Sequence, residues 1–182
     1  MSGGRGLGTG HTLIYRAVQA SDFEAVGRLR TLIFSPHLVT IGSQYLQARK
    51  YAEALAEKAA VVVAVEADGT LLGAADLASL PCEGGEVCGY ITNVCVAPAA
   101  RRRGIGGRLV DELEMVAARS DMRATVLHVD FDNVAARELY ITKGYTLGCD
   151  DRELAAAAAL VPSAGTESPE QLLMTKLFRV QR

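Results

Sequence analysis

The stretch Val94-Cys95-Val96-Ala97-Pro98-Ala99-Ala100-Arg101-Arg102-Arg103-Gly104-Ile105-Gly106-Gly107 decides the fold. It opens with the end of an apolar, β-rich run, Val87 to Val96, which Pro98 stops. It closes where a helix begins at Gly104, because Ile105, Leu109, Leu113 and Val116 recur at helical spacing. Between strand and helix, the glycines allow a turn tight enough to aim several backbone N–H groups at one point. A helix start adds about half a positive charge, and Arg101, Arg102 and Arg103 add three full ones. Such a loop suits a diphosphate. On its own it also fits a plain turn bearing a solvated basic patch.

Two better-known phosphate loops do not fit. No Gly-Lys-Ser/Thr ends the segment, so it lacks the parts of a nucleoside-triphosphate loop. The complete G-x-G-x-x-G fingerprint with its acidic partner is absent as well.

Working outward, Thr12 to Val18 predicts a strand, and Ser21-Asp22-Phe23-Glu24 reads as a capping box opening a helix with Phe23, Val26, Leu29 and Ile33 on one face. Pro36 separates it from a second helix over Ser43 to Ala59. Ala60 to Glu66 and Leu71 to Leu80 form an antiparallel pair turned at Asp68-Gly69. Ala124 to Asp130 is a strand, and Asn133 to Lys143 a helix capped by Asn133 and stopped at Gly144. Tyr145 to Gly148 and Leu172 to Phe178 complete the strands, and Asp150 to Glu170 is a long connection between them. The order indicates an α/β mixed sheet built around a central βαβ unit.

A chain of 182 residues, 49% hydrophobic, suits one domain, expected over 12–182 after a flexible Gly-rich tail at 1–11. That tail also fits the stump of a removed targeting peptide. A net charge of −2 gives no global pull toward nucleic acid or an anionic membrane, and no apolar run approaches the ~20 residues a membrane span needs. Cys82, Cys88, Cys95 and Cys149 show no zinc spacing. Reduced thiols in a soluble intracellular protein are expected, with Cys95 packed in the core.

Val94 to Pro98 followed by Arg101-x-x-Gly104-x-Gly106 resembles the acetyl-CoA motif of the GNAT N-acetyltransferase superfamily. Downstream, Asn133-x-x-Ala136-x-x-Leu139-Tyr140-x-x-Lys143-Gly144-Tyr145 resembles its second signature. The likeness is sharpest from Gly89 to Tyr145. It implies a mixed, mostly antiparallel sheet of about seven strands, its central strands splayed, flanked by about four helices. It further implies acetyl-CoA as co-substrate and no metal. The diphosphate would rest on Arg101, Arg102, Arg103, Gly104, Ile105, Gly106 and Gly107, and pantetheine on the main chain around Val94, Cys95 and Val96. Asn133, Ala135 and Ala136 would touch the same cofactor, and Tyr140 would protonate the departing sulfur.

The acceptor half is less defined. Many relatives carry a strand Glu as base where this chain has Thr92 and Asn93. His128, twelve residues before Tyr140, holds a strand position that in ribosomal-protein N-terminal acetyltransferases of the superfamily carries a glutamate base. With an ordinary pKa near 6.5 an imidazole suits that role; a packed structural histidine and a water relay stay open. Neutralising a lysine at pH 7 costs ~4–5 kcal/mol against ~1 for an α-amine, so a weak base favours N-terminal acceptors. Asp130, Asp132, Asp150, Asp151 and Glu153 form an acidic set that could attract a cationic acceptor or simply be solvated.

Asn93 to Val96, His128-Val129 and Asp132-Asn133 are also similar to plastid GNAT enzymes of plants and algae, which acetylate lysines and protein N-termini and in some cases arylalkylamines. This resemblance implies a protein amine acceptor and the chloroplast stroma, with a small amine and the cytoplasm as the alternatives. A non-catalytic acyl-CoA-binding module remains a reading from another class, motivated by the missing strand Glu. Nucleic-acid binding through the arginines is disfavoured by the net acidity.

Overall fold

The computed structural model describes residues 12–34, 60–82, 86–148 and 171–178. Seven strands, Leu13–Ala17 (β1), Ala60–Glu66 (β2), Leu71–Pro81 (β3), Val87–Val96 (β4), Ala124–Asp130 (β5), Thr146–Leu147 (β6) and Gln171–Leu177 (β7), make one sheet in the order β1-β2-β3-β4-β5-β7-β6. All neighbours are antiparallel except β4 and β5. Among the described residues there are three α-helices, Phe23–Phe34 (α1), Ile105–Arg119 (α2) and Val134–Thr142 (α3). The helix expected over Ser43 to Ala59, the tail at 1–11 and the connection Asp150 to Glu170 lie outside the described residues.

The hairpin at Asp68-Gly69 forms as its sequence dictates. Gly69 N–H donates to Glu66 O and Thr70 N–H to the Asp68 carboxylate, both at 2.9 Å. The start of α1 differs from expectation. Asp22, not Ser21, organises it: its carboxylate accepts the Gln19 N–H at 2.7 Å and both arms of the Arg16 guanidinium at 2.6 and 3.0 Å. The hydrogen bonds from Arg16 hold the Asp22 carboxyl below the ordinary carboxylate range. A 3-10 turn, Ala20–Asp22, therefore precedes α1, and Glu24 is left to pair with Arg28 one helical turn on.

The sheet has two covered faces. On one, Ile105, Leu109 and Leu113 of α2 pack against Leu77, Ile91 and Leu127, with Tyr140 and Tyr145 in the same cluster. On the other, Val26 and Leu29 of α1 pack against Val63, Val65, Ala74 and Cys95.

A bulge in β4 positions the rest. Ala74 pairs with Cys95 but Asp76 pairs with Thr92, so β4 spends one residue more than β3, and Asn93 takes up the slack at φ 55°. One extra residue inverts the alternation of side chains. Upstream, Cys88 and Tyr90 share the α1 face; downstream, Cys95 does, while Val94 and Val96 join the α2 face.

Candidate functional site

Parallel pairing of β4 with β5 covers only Gly89 with Thr125 and Tyr90 with Val126. Beyond Tyr90 the strands part, giving a slit between the splayed halves. The Ala97 N–H reaches β3 at Leu72 O, 2.8 Å. Alternation along the strand then turns the peptide groups of Val94 and Val96 toward the slit. The Cys95 thiol instead donates to Ala74 O within the α1 core, at 3.6 Å, and burial raises its pKa. Arg101 Nε contacts Val96 O at 3.4 Å.

At the mouth of the slit the loop leads into α2. Gly104 caps the helix at φ 75°, and Arg102, two residues earlier, is also left-handed at φ 64°. Such residues turn successive N–H groups inward, and the first turn of α2 adds donors that have no carbonyl partner within the helix. The two motif glycines differ in purpose. Gly104 has open space around it, so a side chain there meets no atom but strains the backbone. A Cβ at Gly106 would find only ordinary contacts, Leu139 at 3.5 Å and Val96 at 3.7 Å, so the protein's own packing does not require a glycine there. Gly104→Ala should lose about 1–2 kcal/mol of stability from the left-handed backbone, read by thermal unfolding.

The three arginines part ways. Arg103 forks onto Glu66 of β2 at 3.2 and 3.3 Å, fastening the loop to the sheet. Arg101 leans on Val96 as above, and Arg102 is exposed.

Asn133 caps α3, its side-chain oxygen accepting the Ala136 N–H at 3.2 Å. Ala135 is exposed and Ala136 half-buried on the first turn. Lys143, at the far end, sits within 2.6 Å of both carboxylate oxygens of Asp111, tying α3 to α2. Tyr140 is buried, its ring edge-on to Tyr145 at 5.7 Å between centroids, and burial pushes its hydroxyl up to about 12. It therefore keeps its proton at neutral pH. Tyr145 is fixed in turn by a 2.8 Å hydrogen bond with Thr125.

His128 lies where β4 and β5 diverge, and its Nδ1 is 2.8 Å from the Tyr90 hydroxyl, the rings edge-to-face. Burial lowers the His128 pKa and raises that of Tyr90, so both are neutral at pH 7. Alternation on β5 puts His128 on the α1 face, opposite Tyr140, so the two meet only across the slit. Tyr90 carries no sequence signal of its own; within an apolar strand it reads as packing.

A second group without a signal is the Arg30, Asp76 and Asn93 cluster. Asp76 is fully buried on β3; both Arg30 arms reach its carboxylate, at 3.0 and 2.5 Å, and Asn93 Nδ2 donates to it at 2.9 Å. One carboxylate thereby links α1 to the bulge that opens the slit. Of the acidic set, Asp130 accepts from Gln171 at 2.9 Å and Asp132 is exposed. Asp150, Asp151 and Glu153 lie outside the described residues.

The model of the Acetyltransferase (GNAT) family matches residues 28–145. GCN5-related N-acetyltransferase 7, chloroplastic, from Arabidopsis thaliana is 39% identical over 56 residues, covering 31% of this chain. GCN5-related N-acetyltransferase 6, chloroplastic, from the same plant is 37% identical over 65 residues, covering 36%. These matches span only 20% and 23% of the relatives' own lengths. Among solved structures, Arabidopsis thaliana Naa50 in complex with the bisubstrate analogue CoA-Ac-MVNAL superposes with TM-score 0.65 at 21% identity, over 91% of this chain and 99% of that one. The Salmonella typhimurium yncA structure with its cofactor acetyl-CoA gives 0.65 at 19% identity, over 91% and 94%. Both likenesses are of fold.

Proposed function

The chain belongs to the GNAT acetyltransferase family, and from that premise we propose that it transfers the acetyl group of acetyl-CoA to a primary amine, a protein α-amine or lysine, by direct attack. The observation that carries this is the slit between β4 and β5, with the peptide groups of Val94 and Val96 turned toward it along one wall and the Arg101 to Gly107 loop at its mouth. The first accepts a pantetheine arm as an added strand does; the second accepts a diphosphate. Asn133, Ala135 and Ala136, at the start of α3, would touch the same cofactor.

An amine entering from the α1 face meets the Tyr90 and His128 pair. With Nδ1–H donated to the Tyr90 oxygen, His128 Nε2 is left to accept the amine proton as the N–C bond forms. The C–S bond breaks, and Tyr140 returns a proton to the thiolate. A lowered His128 pKa suits a base that must be neutral at pH 7. The names of the chloroplast relatives support a plastid setting and an amine acceptor.

The test is thiol release from acetyl-CoA against free-N-terminal peptides, lysine peptides and small amines, the added acetyl being located by mass spectrometry. No release with any acceptor would defeat the proposal; release only with arylalkylamines would move it to small-molecule acetylation. The pH dependence gives a second check. Protonated His128 cannot accept, so turnover should fall with acid through a pKa below 6.5. In His128→Gln that limb should vanish, leaving only the limb set by the acceptor amine.

A further inference from the structure

We infer that Cys82 and Cys88 form a reversible dithiol–disulfide site at the closed end of the slit, oxidised by a small disulfide such as glutathione disulfide. Cys82 follows the end of β3 and Cys88 lies near the start of β4, both on the α1 face, diagonal to each other across the antiparallel pair. Their sulfurs are 3.4 Å apart, and the Cys82 sulfur also lies 3.7 Å from Leu80 O. Both are free thiols, and neither has a part in the proposed chemistry. A cross-link needs the sulfurs to close to about 2.05 Å, a movement within reach of side-chain rotation and a slight strand shift.

The two positions are unequal. Cys88 is fully enclosed by Ala124, Val126 and their neighbours, whereas Cys82 is 9% exposed. Burial pushes the Cys88 thiol up to about 11, opposed by the Arg123 guanidinium, which is itself held to Glu86 at 2.8 Å. Cys82 is thus the sulfur an outside disulfide meets first. Its attack forms a mixed disulfide and releases one glutathione thiol. Cys88 then displaces the second glutathione, so two protons and two electrons leave the protein and two glutathione thiols form. The ring closed is short, Cys82 to Cys88, so the chain-entropy gain is small and a reducing thiol readily reopens it.

The site adjoins the catalytic elements. Gly89 follows Cys88, and the side chains of Leu77, Met122 and Thr125 close over it, so that an added Cβ would lie 2.7 Å from Leu77 Cδ1. Tyr90, the partner of His128, comes next. Drawing Cys88 toward Cys82 pulls on this segment two residues before Tyr90, and on the proposed mechanism turnover falls.

Sequence provides the readout. Glu83 and Glu86 lie between the two cysteines, so glutamyl endoproteinase separates them unless they are bonded. After incubation with glutathione disulfide and alkylation, the fragment ending at Glu83 should stay joined to the one beginning at Val87. The link should persist in Cys95→Ser/Cys149→Ser, disappear in Cys88→Ser and open with dithiothreitol. Separate fragments from oxidised wild-type protein, or glutathione retained on Cys82, would overturn the site. The fall in turnover, several-fold and restored by dithiothreitol, is scored separately: unchanged turnover in fully linked protein would remove the functional consequence and leave the disulfide standing.

Discussion

Replacing Asp76 by alanine should lower the unfolding free energy by about 3–5 kcal/mol. The carboxylate has no exposed surface and holds the Arg30 fork and Asn93 together. Its loss removes the fork partner of a guanidinium whose side chain is only 11% exposed, beside an apolar core. It also releases the amide that steadies Asn93 in a left-handed conformation. Asp76→Asn keeps the volume and a hydrogen-bonding oxygen, so its loss should be smaller. Urea unfolding of both variants decides; a loss under about 1 kcal/mol for alanine would mean that the pair behaves like a surface ion pair.

Tyr140→Phe should reduce turnover by about 10²-fold or more, the range for loss of a positioned general acid. Only the hydroxyl is removed, so the edge-to-face contact with Tyr145 and the burial of the ring persist, and stability should change little. The affinity for acetyl-CoA should hold, because the diphosphate loop and the slit walls are untouched. The expected signature is a fall in kcat with a nearly constant KM for acetyl-CoA. Turnover equal to wild type would remove Tyr140 from the chemistry.

Legibility in the sequence followed the range of the interactions. The segment from Val94 to Val116 could be read directly, because a proline, a left-handed glycine and a helical apolar stripe act within a few residues of each other. Asn133 was readable for the same reason, since a cap bonds three residues on. Tyr90 was not: its meaning depends on β4 lying parallel to β5 and on which face it takes, and both are set by tertiary pairing. Asp76 and Arg30 are 46 residues apart and meet only when α1 packs on the sheet. At the first helix, Ser21 and Glu24 fit a local rule, yet Arg16 across the turn made Asp22 the better organiser. Local patterns thus exposed the loop and helix starts of the candidate site, while the groups around His128 emerged only from the register.

The placement of β7 bears on how the molecule assembles. It lies between β5 and β6, paired along the whole of β5 from Ala124 to Asp130. Until residues 171–177 emerge and insert, β5 presents a bare hydrogen-bonding edge, and the strand bearing His128 has only two paired residues on its other side. Closure of the sheet is therefore a late, long-range event that local helix formation cannot hasten. A nascent chain halted before residue 171 would be sticky and without a finished slit.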